Sequence, residues 1–406
     1  MRRSLAVLLV TYEFPPHMNT GGIGSYMFHL ARMLSNAGHK VTVFSATHNG
    51  HSIHKIVEDS YVNYIFPVSS SIEFREAVRV FFHEFIDNEC IDIVESPEVG
   101  ACALGIKQDF PGIPLLVRLH TPGVLITKVS NSYQPIYTKI RYVAGSLLRG
   151  RFDLGYWSRV DKNRKKDPEF QICLFADYLV SPSEALGIYL STFWQFNKLI
   201  QVIPNPFRAD DDLLAYPIHG RDKLICFVGK LTILKGMFAL TKAVNRILQQ
   251  NPDYRFVFVG RDEAVSSRIP SMRGWMEKKL KRVMSRVEFT GPLSREGVNE
   301  LLGKSRICVV PSLWENYPTI VLEAMAAGTV LVASDRGGIP EIIHNGKTGY
   351  LINPRKPSKI ANAVNKFISK ESERQEIAAA SREWILNSQT DIEHSILDLY
   401  QFAVHK

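Results

Sequence analysis

Short runs of consecutive apolar residues alternate along this chain with longer stretches in which apolar positions recur every three or four residues. The short runs suit strands buried on both faces, and the longer stretches suit helices with one buried stripe. In the first half the strand-like runs fall at residues 5–11, 41–46, 91–95, 115–120, 178–181 and 200–203, with helical patterns between them, such as 25–36 and 72–88. Gly38 and His39 follow the first helical pattern as a C-cap glycine and its polar neighbour would. The alternation breaks at Pro204-Asn205-Pro206, and Asp210-Asp211-Asp212 follows. A second series then runs through 224–228, 256–259, 287–289, 307–310 and 330–333, and closes with helical patterns at 357–369, 371–387 and 391–403.

Two such series predict an α/β protein of two Rossmann-like, doubly wound parallel-sheet domains. The boundary lies near residues 204–222, giving domains 1–205 and 206–406, with the last helix allowed to cross back to the first domain. The 406 residues agree, being too many for one ordinary core. No apolar run approaches the roughly 20 residues of a membrane-spanning helix. Met1-Arg2-Arg3-Ser4 and the apolar residues after it have the look of a short signal peptide. They run into Tyr12-Glu13-Phe14-Pro15-Pro16 without a small-residue cleavage site, so this stretch reads as a buried first strand. Cys90, Cys102, Cys173, Cys226 and Cys308 are scattered and never form a Cys-x-x-Cys pair. Neither a disulfide framework nor a zinc site is suggested, and a cytoplasmic location is the expectation.

Charge changes the picture in one place. The net charge is +9, and residues 126–166 alone hold ten basic residues against Asp153 and Asp161. Tyr133, Tyr137, Tyr142, Phe152, Tyr156 and Trp157 lie among them. Basic and aromatic residues together suit an anionic bilayer surface, so peripheral membrane binding is predicted. A loop that only solubilises the protein is the plainer alternative. No nucleic-acid-binding motif accompanies the charge, so nucleic acid is not an expected partner.

Three segments have the composition of a phosphate- and sugar-binding site. Gly21-Gly22-Ile23-Gly24-Ser25-Tyr26 follows a strand and opens a helix, where close backbone approach and unpaired N–H groups suit a phosphate. A tight turn explains it equally well. Met27 stands where a dinucleotide fingerprint has its third glycine, and the second strand ends without a ribose-binding acid, which argues against an oxidoreductase. Val228-Gly229-Lys230 through Lys235-Gly236 places two lysines five residues apart between glycines, able to set two cations over a diphosphate. Solvated loop lysines are the alternative. In Pro311-Ser312-Leu313-Trp314-Glu315-Asn316-Tyr317-Pro318-Thr319, Pro318 suits the first helical position. The N–H groups of Thr319, Ile320 and Val321 would then face a ligand. Glu323 follows one turn later on an otherwise apolar helix and needs a partner, which a ribose diol would supply. A dipole-favoured Glu315 and a core-edge Glu323 account for each residue but not for the set.

The last segment resembles the signature of retaining glycosyltransferases of family four (glycosyl transferases group 1): two glutamates separated by seven residues, then Ala-Met-Ala and a glycine. Leu119-His120-Thr121, Ser181-Pro182-Ser183-Glu184, Val202-Ile203-Pro204-Asn205, the Gly-Lys and Lys-Gly pair, and Gly337-Gly338-Ile339-Pro340-Glu341 match in the same order, so the resemblance spans nearly the whole chain. It implies the GT-B fold, two Rossmann-like domains facing a cleft. It also implies retaining, metal-independent transfer from a nucleotide-diphosphate sugar, with UDP or GDP as carrier and no cofactor. Carried over residue by residue, the catalytic positions are His120 on the transferred sugar, Lys230 and Lys235 on the diphosphate, and Glu315 on the sugar hydroxyls. Donor binding falls to Gly22, Gly24, Asn205, Gly229, Tyr317, Thr319, Ile320, Val321 and, on the ribose, Glu323. Lys230 departs from the family's usual arginine, and Tyr317-Pro318-Thr319 from its Phe-Gly-Leu. The implied role is cell-surface polysaccharide or glycolipid synthesis with a saccharide or lipid-linked acceptor.

Other candidates carry less. His120 alone suits a strand-end histidine on a backbone partner, Asp210-Asp211-Asp212 reads as a solvated acidic run rather than a metal site, and His83-Glu84 lacks the second histidine of a zinc protease. A sugar-nucleotide epimerase and a non-catalytic sugar-nucleotide sensor are the rival functions. The joint presence of His120 and Glu315 favours transfer.

Overall fold

The computed structural model describes residues 3–18, 21–132, 136–150, 164–195, 197–265 and 269–405. The chain divides into two compact units, Met1–Pro206 with Thr390–Lys406, and Phe207–Gln389.

The first unit contains strands β1 (Ala6–Val10), β2 (Lys40–Thr47), β3 (His54–Val57), β4 (Val62–Pro67), β5 (Ile93–Pro97), β6 (Leu115–Arg118), β7 (Tyr178–Ser181) and β8 (Ile200–Val202). Its described helices are α1 (Gly22–Asn36), α2 (Ser71–Asn88), α3 (Leu104–Asp109), α4 (Gly123–Ser132), α5 (Ile136–Leu147), α6 (Pro168–Phe175) and α7 (Glu184–Trp194). The strands form one sheet in the order β3-β4-β2-β1-β5-β6-β7-β8, parallel except for the antiparallel pairing of β3 with β4. All five residues of β5 are buried, which requires cover on both faces. α1 supplies part of that cover through Met27, Leu30, Ala31 and Leu34, packed with Leu5, Val7, Leu9, Val41 and Val43. Each large apolar side chain buried this way contributes about 1.5–3 kcal/mol.

The second unit contains α8 (Asp211–Leu214), β9 (Leu224–Val228), α9 (Met237–Gln250), β10 (Arg255–Val259), α10 (Met272–Leu280), β11 (Val287–Gly291), α11 (Arg295–Lys304), β12 (Ile307–Val310), α12 (Thr319–Ala327), β13 (Val330–Ser334), α13 (Ile339–Ile342), β14 (Tyr350–Ile352) and α14 (Pro357–Ser369). Its sheet is parallel throughout, in the order β11-β10-β9-β12-β13-β14. The strand order reverses between β1 and β5 in one sheet and between β9 and β12 in the other. Ligands of such sheets bind outside the carboxyl ends of the strands at that reversal.

Three strands escape the hydrophobic pattern. β3 is a polar, largely exposed edge strand. Asn63 and Tyr64 interrupt the apolar run of β4, and β14 is only three residues long. The predicted break in the closing helix is also absent, because α15 (Glu371–Val404) is continuous for 34 residues. The polar run Asn387-Ser388-Gln389-Thr390 contains neither glycine nor proline, so nothing in it stops a helix. Its residues up to Gln389 belong to the second unit and those from Thr390 to the first.

Candidate functional site

In the second unit, three loops at the strand-order reversal pack backbone against backbone. Gly229 and Gly236 have φ of 149° and 78°. A Cβ on Gly236 would lie 2.0 Å from the Pro311 carbonyl oxygen, and one on Gly260 would lie 2.1 Å from that of Gly229. Only glycine permits both approaches. The Leu313 N–H donates to the Leu234 carbonyl at 2.7 Å, and the Leu231 N–H donates to that of Arg261 at 2.8 Å. From the other side, the Gly338 N–H donates to the Glu315 carbonyl at 2.9 Å.

This frame delivers the Glu315 carboxylate to the Lys235 ammonium, and the two form an ion pair. The buried Ser312 hydroxyl donates to the same carboxylate oxygen at 2.8 Å. Lys230, on the same loop as Lys235, is exposed and has no ion-pair partner among the described residues. The structure thus brings Lys235 and Glu315 together and leaves Lys230 as an exposed cation on the loop that bears Lys235.

α12 begins one residue later than the sequence suggests. Pro318 is its N-cap, with φ −74° and ψ 121°, and Thr319 is the first helical residue. The Pro318 carbonyl therefore accepts the Val321 N–H at 3.0 Å, so Val321 does not present its amide to a ligand as predicted. The amides of Thr319 and Ile320 have no acceptor among the described residues, as is usual for a first turn. Tyr317 is mostly buried, and that burial raises its phenol pKa.

Glu323 is also largely buried. Burial raises its carboxyl pKa, with Arg295 pulling it down and Asp210 pushing it up. No hydrogen bond to its carboxylate is formed among the described residues, so hydroxyl donors from a ligand would be well received there. Asp210 is not the solvated acid the sequence suggested. It accepts from Arg295 Nε at 2.6 Å and from Asn299 Nδ2 at 3.0 Å. It does so because α8 and α11 meet where the polar heads of both helices need partners.

In the first unit, the Gly21 N–H donates to Glu13 Oε2 at 2.9 Å, and α1 begins at Gly22. A Cβ on Gly22 would meet nothing within 4 Å, whereas Gly24 is buried. A carboxylate therefore already occupies the amide just ahead of the predicted phosphate-binding turn. Asn205, beyond β8, has a buried Oδ1 with no partner among the described residues.

His120 follows β6 and is buried. Its N–H lies 2.9 and 2.8 Å from the two oxygens of Glu98, and its Nδ1 lies 3.0 Å from the Arg118 carbonyl. A ring nitrogen facing a carbonyl carries the proton, so Nδ1 is the donor. The Tyr26 ring of α1 stands edge-on to the imidazole with centroids 5.4 Å apart. Behind it, Tyr26 donates to Glu95 at 2.5 Å, Tyr400 donates to the other Glu95 oxygen, and Arg118 Nε lies 3.6 Å from Glu95.

The basic segment is only partly described. Tyr133, Arg151, Phe152, Asp153, Tyr156, Trp157, Arg159, Asp161 and Lys162 lie outside the described residues, as do the side chains of Tyr137, Lys139 and Arg164. Lys128 is turned onto the rings of Tyr189 and Phe193. Ile140, Leu147 and Leu148 are exposed along and just after α5, beside the exposed Arg141 and Arg149. Among the described residues no helix is long and apolar enough to cross a membrane.

Sequence reasoning assigned no role to Ser312, Gly337, Arg295, Glu95 or Glu98. Ser312 stands three residues before Glu315, a spacing that suits a local side-chain bond. The others act across elements distant in sequence, and their spacing holds no signal.

Sucrose-phosphate synthase from Thermosynechococcus elongatus superposes with a TM-score of 0.72 at 17% identity, over 98% of each chain. The catalytic domain of starch synthase IV from Arabidopsis thaliana, bound to ADP and acarbose, superposes with a TM-score of 0.73 at 15% identity over the whole of each chain. Two doubly wound parallel sheets with these neighbours define a GT-B protein. Residues 20–211 match Glycosyltransferase Family 4, and residues 212–384 match Glycosyl transferases group 1. Glycogen synthase from Mycobacterium tuberculosis is 26% identical over 408 aligned positions, covering 93% of this chain and 90% of that one. The chain is a glycosyltransferase and belongs to this group 1, family four type.

Proposed function

We propose that the protein transfers a sugar from a nucleotide-diphosphate sugar to a saccharide or lipid-linked acceptor, with retention at the anomeric carbon and without a metal. The observation that carries this reading is the Lys235–Glu315 pair at the strand-order reversal, with Lys230 exposed on the same loop as Lys235. Two lysines suit a departing diphosphate, which otherwise calls for a divalent cation. Glu323 suits the ribose, and the amides of Thr319 and Ile320 suit ligand oxygens. Asn205 Oδ1, buried and unpartnered among the described residues, suits a donor hydroxyl. His120 is the group proposed to hydrogen-bond the transferred sugar, and Gly22 and Gly24 remain candidates for backbone contact with the ligand. That a structural neighbour holds ADP agrees with a nucleotide carrier.

In the proposed reaction the bond from the anomeric carbon to the diphosphate oxygen breaks, and its electron pair stays on that oxygen. The acceptor hydroxyl bonds to the anomeric carbon on the same face, and its proton passes to the leaving phosphate. No pair of side-chain carboxylates of the glycosidase kind is invoked. The acceptor side is proposed to sit at an anionic bilayer, for which the exposed Ile140, Leu147 and Leu148 beside Arg141 and Arg149 are the support. A role in surface polysaccharide or glycolipid synthesis would follow.

Nucleotide release from UDP-, GDP- and ADP-sugars, measured in EDTA with a membrane-lipid extract, tests the reading. Acceptor-dependent release of one nucleotide that vanishes in Glu315→Ala supports it. A strict need for added Mg²⁺ or Mn²⁺ refutes metal independence, and an inverted product by NMR refutes retention. Co-sedimentation with phosphatidylglycerol vesicles tests the membrane contact, and its absence at low salt removes it.

A further inference from the structure

Glu98 and Glu169 are two acids to which nothing above assigns a reaction role, and both point at the loop that carries His120. Glu98 lies just after β5, is fully buried, and accepts the His120 N–H with both of its oxygens, at 2.9 and 2.8 Å. Glu169, in the first turn of α6, accepts the Gly123 N–H at 2.8 Å and a second backbone N–H from Gly100. The short connection from β6 to α4 is therefore held by two carboxylates from other elements, Glu98 at His120 and Glu169 at the first residue of α4, Gly123. Glu169 also ties that loop to the turn bearing Glu98, because Gly100 follows Glu98 by two residues. Gly100 has φ 77°, which a side chain rarely adopts, so the turn that presents its amide depends on glycine.

We propose that Glu98 and Glu169 form a carboxylate clamp whose task in sugar transfer is to fix the position of His120. The proposal rests on the reading of His120 as a contact to the transferred sugar. Both acids are positioning residues, acting through the backbone of the loop. Two carboxylate acceptors are a costly way to hold one short segment, since Glu98 is removed from water altogether and Glu169 in part. An ordinary strand end needs one backbone partner. The expense is understandable where a side chain must be held to within a fraction of an ångström.

The charges around Glu169 show how the clamp is balanced. Glu98 faces it from the turn after β5, and Asp167 caps the head of its own helix. His120 approaches Glu98 to 3.6 Å from the loop, and Lys198 binds the carbonyls of Leu174 and Ala176 at the C-terminal end of α6. Lys165 and Lys166, ahead of α6, are exposed, and Lys107 of α3 is bound to Asp177. Burial and the neighbouring Glu98 push the Glu169 carboxyl up to about 7. Near neutrality Glu169 is therefore close to half protonated, and its charged form is disfavoured by Glu98.

The test compares Glu98→Gln, Glu169→Gln and His120→Ala in the full chain, with kcat, donor KM, Tm and the pH dependence of kcat read for each. In Glu98→Gln an amide NH2 replaces one acceptor facing the His120 N–H. The expected result is a fall in kcat of about 10- to 100-fold with donor KM changed little, the signature of misplacement rather than lost binding. In the native protein kcat should fall as pH rises through about 7, and Glu169→Gln should lose that inflection while its Tm is no lower than the native protein's. Native kcat in Glu98→Gln, or an inflection that survives in Glu169→Gln, overturns the clamp. Native turnover in His120→Ala instead refutes the sugar-contact reading on which the clamp rests. An inactive His120→Ala with a fully active Glu98→Gln leaves that reading in place and removes the clamp alone.

Discussion

Lys235 and Glu315, eighty residues apart in sequence, meet as an ion pair whose carboxylate also receives the Ser312 hydroxyl. Both side chains are partly buried, so the pair is shielded from salt more than a surface pair would be. Without a donor the two charges satisfy each other. In the proposed reaction a diphosphate is the stronger anion, and it draws Lys235 towards itself. The Glu315 carboxylate would then turn to accept sugar hydroxyls, with Ser312 still holding it. On that proposal, donor binding and the release of Glu315 from Lys235 are one event.

Glu315→Gln and Lys235→Ala should each lower kcat by about 10²- to 10³-fold, the usual scale for losing one preorganised electrostatic group. Since the groups touch, their losses should not add. The double variant is expected to be little worse than Lys235→Ala alone when nucleotide release is measured. Fully additive losses would show that the pair has no joint role.

Gly337→Ala should damage the site without touching any charged group. Gly337 has φ 66°, and a Cβ there would lie 1.9 Å from the Glu315 carbonyl oxygen. Gly346 has φ 79° and open space around it, so it isolates the conformational part. Gly346→Ala should cost about 1 kcal/mol in urea unfolding. Gly337→Ala should cost more and should also reduce kcat. Equal stability and equal activity in the two variants would mean that the Glu315 loop yields freely.

What the sequence discloses and what it hides follow a physical division. β9, β12 and β13 are continuous apolar runs because helices cover both faces of the sheet, and such runs are visible in one dimension. β3 sits at a sheet edge with exposed polar residues and leaves no such trace. The loops bearing Lys235 and Glu315 are legible because each is a short motif on one element. That they touch depends on Gly236, Gly260 and Gly337, whose roles appear only when the neighbouring carbonyls are in place. Glu95 and Arg118 look like interruptions of apolar strands in sequence, and Glu98 like an ordinary polar residue after one. Their partners Tyr26, Tyr400 and His120 come from three other parts of the chain.

Tyr400→Phe probes the most distant of these partnerships. Tyr400 lies near the end of α15, is fully buried, and donates to Glu95, which is also fully buried. Removing the hydroxyl leaves the carboxylate with Tyr26 and the more distant Arg118. The expected loss is about 1–3 kcal/mol in urea unfolding, the cost of stripping a donor from a buried charged acceptor. A loss below about 0.5 kcal/mol, the level of an ordinary surface change, would show that Glu95 does not depend on the closing helix.

Glu169 gives the protein a pH dependence whose sign can be stated in advance. Its carboxyl is raised from an ordinary value of 4.5 to about 7, first by burial and then by the charge of Glu98. A carboxyl raised in the folded state is ionised in the unfolded chain while still protonated in the native one. Below its unfolded pKa both states hold the proton, and the native fold bears no penalty. As pH rises towards about 7 the unfolded state is increasingly favoured, and above about 7 the full penalty is present. At roughly 1.4 kcal/mol per pKa unit the loss is at most about 3.5 kcal/mol, and less to the extent that water reaches the carboxyl. Glu169→Gln, neutral at every pH, should match the native protein near pH 4 and exceed it in stability near pH 8. Urea unfolding of both proteins at these two pH values checks this. A constant difference between them would mean that Glu169 is ionised in the native fold throughout, and that the repulsion from Glu98 is fully offset by the amides of Gly100 and Gly123.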